Sequence, residues 1–156
     1  MAIEKVREYF KKNNIDKEIM EFEVSSATVE LAALAVGVIG ARIGKTLSFN
    51  VGEKTVLIVV AGDAKIDNAK FKAQFKTKPK MLSADVVEEL VGHGVGGVCP
   101  FGVNEGVDIY LDVSLKRFDT VFPACGSSNS AVELSCDEMF EYSGAIDWID
   151  VGKNWE

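Results

Sequence analysis

"KTLSFNVGEKTVLIVVA", residues 45–61, constrains the fold more than any other stretch of the chain. Two runs rich in β-branched and aromatic residues, Lys45 to Val51 and Thr55 to Ala61, are separated only by Gly-Glu-Lys, whose glycine favours a hairpin. Strands joined this way lie side by side without a crossover helix, so the regular β-α alternation of a Rossmann-type sheet does not fit. The remaining signals are irregular too. Ile3, Val6 and Phe10 recur at near-helical spacing up to Asn13-Asn14, and a short strand is expected around Ile19 to Val24. Thr28 is placed to cap a helix whose apolar run, Leu31 to Val36, ends at Gly37.

Asp67 is placed to cap a helix through Phe75, with Ala69, Phe71 and Phe75 facing inward and the lysines facing water. Pro79 breaks that pattern, and Ser83 opens a second helix through Val91, closed by Gly92. "VDIYLDV", "DTVFPACG", "AVELS" and "AIDWIDV" read as strands, and Ser135 to Glu138 fit a capping box. The expectation is α+β: one domain over residues 1–156, with a curved, barrel-like mixed β-sheet and helices outside it.

Composition narrows the function classes. With 47% hydrophobic and 26% charged residues the chain is close to an ordinary globular protein. No run of 18 apolar residues suggests a membrane span, and the charged N-terminus lacks a secretory apolar core, so the cytoplasm is the expected location. Cys99, Cys125 and Cys136 show no paired spacing, and His93 is the only histidine. Neither a disulfide framework, a metal site nor a cofactor is expected. The net charge of −7 argues against indiscriminate nucleic-acid binding and gives no reason to expect DNA. Even so, Ala64 to Lys80 holds six lysines against Asp67 alone, either a solvated face or a local contact for phosphates.

Gly44-Lys45-Thr46 resembles the end of a phosphate-binding P-loop, but the required earlier glycine is Ile39 and a strand follows instead of a helix. Lys45 therefore either runs its stem over apolar surface and exposes its amine, or presents a compact charge in a pocket. Position alone leaves both open.

"GHGVGGVCPFGV" places glycines at 92, 94, 96, 97 and 102, more than a single turn needs. Glycine lets a ligand approach backbone N–H groups, which can hold a carbonyl or a developing oxyanion, while Pro100 limits how far the loop relaxes. His93 and Cys99 in the same loop raise a thiol-hydrolase reading, against which stand a small packed cysteine and a solvated histidine.

"GKTLSF", "VVAGDAKIDNAKF", "GVGGVCPFGV" and "TVFPACG....AVELS" occur in an order and spacing that resembles the YbaK family, related to the editing domain of bacterial prolyl-tRNA synthetases. The most specific matches are Lys45-Thr46 opening an apolar strand and Gly96 to Pro100 as the family's G-x-x-x-P loop. The resemblance implies hydrolysis of the ester between a wrong amino acid and the 3′ end of transfer RNA, by water or a group of the substrate. It implies that Lys45 orients the terminal adenosine and that the Gly96 N–H contacts the aminoacyl carbonyl. Thr46, Gly97, Pro100 and Gly126 are then substrate-binding, and Phe22, Thr28 and Leu31 shape the side-chain pocket.

Members that remove cysteine carry a serine and an aspartate where this chain has Ala124 and Ala131, and a basic pair in place of Ser127-Ser128. Alanine, serine or another small residue is then at least as good a substrate as cysteine. The resulting expectation is a trans-acting aminoacyl-tRNA deacylase, with prolyl-tRNA synthetase as a candidate partner. The alternative is a non-catalytic module that binds transfer RNA or a nucleotide-ended ligand.

Overall fold

The computed structural model describes residues 2–155. Its elements in chain order are α1 (Ala2–Lys12), β1 (Met20–Glu21), α2 (Val29–Val36), β2 (Ile43–Val51), β3 (Lys54–Ala61), β4 (Lys65–Ile66), α3 (Asn68–Phe75) and α4 (Ala84–Val91). There follow β5 (Val107–Asp112), β6 (Thr120–Pro123), β7 (Ser130–Ala131), β8 (Leu134–Ser135), α5 (Cys136–Ser143), β9 (Asp147–Ile149) and β10 (Gly152–Lys153). Short 3-10 turns at Gly40–Arg42 and Val113–Arg117 complete the path.

The hairpin forms as expected: β2 and β3 pair from Gly44↔Ala61 to Val51↔Lys54, leaving Gly52 and Glu53 as the turn. β3 becomes the centre of a mixed six-stranded sheet in the order β8-β6-β2-β3-β5-β9. It lies antiparallel to β2 and parallel to β5. Side chains alternate across a sheet, so a strand covered on both faces must be apolar at every position. Val56 to Ala61 are all buried. Val56, Ile58 and Val60 pack with Phe49 and Phe71 on one face. Val59 and Ala61 pack on the other with Val6 and Phe10 of α1 and Met139 of α5.

Local caps position the helices. Thr28 Oγ1 accepts the Leu31 N–H, Asp67 accepts the Lys70 N–H, and Ser135 with Glu138 closes a reciprocal capping box. No helix among the described residues is long and apolar enough to cross a membrane.

Three local expectations are corrected. Ala69 is exposed, because Phe71 alone of α3 is fully buried and Phe75 completes its inner face. The strand expected over Ile19 to Val24 is reduced to Met20–Glu21, paired with β7. "AVELS" is two strands with different partners: Ala131 joins β1, whereas Leu134 joins β6. The break falls at Val132 and Glu133, which belong to neither ladder; Val132 N–H donates instead to Pro123 O at 3.1 Å.

Candidate active site

A defect in strand pairing creates the site. β6 runs beside β2 only at Ile43↔Phe122 and Gly44↔Pro123. Further along, the same edge is taken up by the segment before α4, where Asn50 N–H donates to Lys80 O at 2.8 Å and Leu82 N–H donates to Ser48 O at 3.0 Å. Between these two partners the β2 edge faces a cavity of about 310 Å³. Its walls come from β2, the 26–32 segment, the start of α4, the glycine loop and the β6–β7 region.

Lys45, Thr46, Gly96 and Thr28 line this cavity together, although they lie far apart in sequence. Lys45 is two residues inside β2 rather than at its opening. Its ammonium donates to Ala64 O at 2.8 Å. Burial lowers its pKa and so does the neighbouring Lys65 charge, while Asp63 and Glu30 act in the opposite direction. Asp63 is engaged by Arg117 through two hydrogen bonds of 2.9 and 2.5 Å, which hold its carboxyl below the usual range. Lys45 is half-buried, and its ammonium is held by a backbone carbonyl.

Thr46 Oγ1 is buried in this wall with no hydrogen-bond partner in the structure. A buried hydroxyl without a partner carries a desolvation cost of about 1–3 kcal/mol. Thr46→Val keeps the shape and removes that cost. The variant is expected to leave stability unchanged or raise it by about 1 kcal/mol while weakening turnover of any substrate whose polar atom the hydroxyl meets. A urea midpoint clearly below wild type would refute the first half of that expectation.

Gly96 adopts φ +89°, a left-handed conformation that side chains disfavour, and it lies against Ala27 and Ser128. Gly97 and Gly126 do not line the cavity; they pack on each other and join the glycine loop to the chain after β6. Pro100 is buried and does not line the cavity. Phe22 packs against Ala32, Ile43 and Phe122, one layer behind the wall, and Leu31 is exposed on α2. Neither Phe22 nor Leu31 lines the cavity itself.

Ser48 and Ser130 line it without having been singled out from sequence. Ser48 was within reach of pattern reasoning, since it alternates with Thr46 on one strand face. Ser130 enters only through the β1–β7 pairing, which leaves no local trace.

Thiol chemistry has little support here. Cys99 and His93 do meet, with Sγ 3.5 Å from Nε2. Both are fully buried, however, and neither lines the cavity. Burial pushes the Cys99 thiol up to about 12, so it is a protonated packing group at neutral pH. His93 is thus buried, where a solvated ring was expected. The glycines around it add no bulk to the loop interior, and the ring occupies that space. Among the described residues no cluster of three or more His, Cys, Asp or Glu side chains is arranged to hold a metal ion.

A sequence model of the aminoacyl-tRNA editing domain matches residues 23–142. The chain belongs to this family. It is 54% identical to the uncharacterized protein YwhH of Bacillus subtilis, end to end in both chains. It is also 25% identical to the proline–tRNA ligase of Bacillus cereus over 126 residues, which cover 80% of this chain but only 22% of the ligase. A crystal structure described as a candidate trans-editing enzyme for prolyl tRNA synthetase superposes with a TM-score of 0.89 at 25% identity, over 97% of each chain. That of the hypothetical protein APE2540 gives 0.86 at 27% identity, over 96% of this chain and 99% of that one. Editing-domain membership, curled mixed sheet and α+β class agree with the reading from sequence. α1 lies outside the matched segment, yet its Ile3, Val6 and Phe10 are part of the main core.

Proposed function

We propose that this editing domain is a trans-acting deacylase, which hydrolyses the ester of transfer RNA for proline mischarged with alanine, serine, cysteine or another small amino acid. The observation that carries the reading is the convergence of Lys45, Thr46 and the Gly96 backbone on one small cavity. At about 310 Å³ it lies at the low end for ligand pockets, which suits a small side chain beside the terminal ribose. Ala32, Ala124 and Ala131 make part of its wall small and apolar. The end-to-end match to YwhH supports reading residues 1–156 as one domain. The partial matches to proline–tRNA ligases support a prolyl-tRNA context and an encounter with that synthetase in the cytoplasm.

The chemistry asked of the protein is modest. Water attacks the aminoacyl carbonyl carbon, the backbone N–H at Gly96 steadies the oxygen as it gains negative charge, and the ribose hydroxyl leaves with a proton. Lys45 holds the terminal adenosine through a phosphate or ribose oxygen, a task for which a compact ammonium suffices. Synthetases need such a second site because one methylene changes binding by only about 1–3 kcal/mol.

Purified protein incubated with alanyl-, seryl-, cysteinyl- and prolyl-tRNA for proline tests this. At least one mischarged species should be cleaved and the correct one spared. Lys45→Ala is expected to lower kcat/KM roughly 100-fold, a loss in the range of single electrostatic groups in active sites, with the melting temperature little changed. Cys99→Ala should retain activity. If no mischarged species is cleaved while RNA still binds, the domain is a binding module and the deacylase reading fails.

A further inference from the structure

Glycine-rich chain has little intrinsic reason to hold one conformation. The loop that brings Gly96 to the cavity is nevertheless pinned at its neck. Asn104 N–H donates to Val91 O at 2.9 Å, Asn104 Nδ2 donates to Glu89 O at 2.9 Å, and Lys5 Nζ donates to Gly92 O at 3.2 Å. Those bonds fix where the loop leaves and rejoins the body. They do not fix its interior.

Inside the loop, Gly97 N–H donates to Gly94 O at 3.0 Å and Gly97 packs on Gly126, and one side chain bridges the whole span. His93 is fully buried, and its Nε2 lies 2.6 Å from Phe101 O, bridging eight positions of chain. A carbonyl only accepts, so Nε2 carries the proton and the buried, unpartnered Nδ1 carries the lone pair. The Cys99 thiol lies 3.6 Å from the same carbonyl and 3.5 Å from Nε2. Phe101 is itself a fixed point: its ring is fully buried and meets Phe10 of α1 edge-on at 5.3 Å. The imidazole therefore ties the start of the loop to a fully buried part of the core, and Val95 to Val98 span the tip between.

We propose that His93 is a positioning residue for the deacylation site, its imidazole clasping Phe101 so that the glycine loop presents Gly96 to the cavity. The proposal rests on the deacylase reading above. An apolar side chain would fill the same space but leave the Phe101 carbonyl with only the weak Cys99 thiol donor at 3.6 Å, a cost that neighbouring glycines can relieve by shifting the loop. Misplacement of a catalytic group by about 1 Å can cost roughly 100-fold in rate. The signature is thus a loss in kcat with substrate binding retained.

His93→Leu and His93→Gln separate this role from packing, because glutamine returns an N–H donor close to the Nε2 position. In single-turnover and steady-state deacylation, His93→Leu should lower kcat about 10- to 100-fold with KM near wild type, and His93→Gln should recover most of the loss. Amide hydrogen exchange should quicken in residues 94–98 of the leucine variant but not in β3. Nitrogen NMR of the wild-type ring should find Nε2 protonated and Nδ1 bare at neutral pH.

Wild-type kcat and loop exchange in a folded His93→Leu protein would overturn the proposal. So would an Nδ1-protonated ring, or losses in both variants that merely follow the unfolded fraction with β3 exchange rising in step. If His93→Leu does not fold, the glutamine variant and the ring tautomer decide. If the wild type cleaves no mischarged transfer RNA, the deacylase reading falls, and exchange and tautomer still decide whether the clasp exists.

Discussion

Gly97→Ala is expected to remove deacylase activity almost entirely and to lower stability by about 2–3 kcal/mol, the cost of forcing a methyl group into filled space. A Cβ at this position would lie 2.6 Å from Gly126 C, 2.7 Å from Gly126 O and 2.8 Å from Ser127 N. All three are backbone atoms, so no side chain can swing aside. The glycine loop must separate from the chain after β6, and Gly96, one residue away, moves with it. Gly96→Ala offers a contrast: its Cβ would meet Ala27 and Ser128 at 3.4 Å, and the cost there comes mainly from φ +89°. Thermal melts and single-turnover deacylation of both variants check this. For a domain of this size 1 kcal/mol corresponds to about 2–4 °C, so Gly97→Ala should melt roughly 5–10 °C lower. A wild-type melt with intact activity would mean that the two loops are not in contact in solution.

The parts of the fold that rest on local chemistry were legible in the sequence. Thr28, Asp67, Ser135 and the glycines after α2 and α4 each act within a few residues of their own position, and each forms its predicted boundary. The hairpin was legible for the same reason. For β1, β7 and β8 the extended stretches were legible but not their limits or partners, because two-residue strands carry no periodicity and pair about 100 residues away or across a turn.

The site divides the same way. Lys45 and Gly96 were reached through a family motif, whereas charge and glycine content alone left each with two readings. That the Lys45 ammonium meets Ala64 O depends on where the turn after β3 lies, which no spacing in the sequence reveals. His93 was misjudged as solvated because a lone histidine carries no signal of its surroundings, and only the tertiary structure shows the carbonyl that accepts from it.

That same turn depends on a buried carboxylate remote from the cavity, and here the largest loss of stability is expected. Asp112 is fully buried at the end of β5. Its Oδ1 accepts from Val151 N–H at 2.8 Å and Gly152 N–H at 3.1 Å, and its Oδ2 accepts from Ser114 N–H at 3.0 Å. Asp112→Ala strands three interior donors at once. At about 1–3 kcal/mol for each unsatisfied group, less what relaxation and entering water recover, the loss should reach about 3–5 kcal/mol. Asp112→Asn can still offer its oxygen to Val151 and Gly152, but its NH₂ then faces the Ser114 N–H, so the loss should be about half as large. Urea titrations with unchanged m-values check both figures.

The consequence for function follows from the chain of contacts. Gly152 pairs with Ile66 of β4, Val151 O accepts the Asp67 N–H, and Ser114 Oγ accepts the Ala61 N–H. The two anchors bracket Ala64, whose carbonyl holds the Lys45 ammonium. Asp112→Asn, still folded at low temperature, should therefore lose turnover in the direction of Lys45→Ala, although residue 112 does not line the cavity. Full wild-type turnover in the folded asparagine variant would show that Lys45 works without a fixed Ala64, and that its bond to that carbonyl is incidental to catalysis.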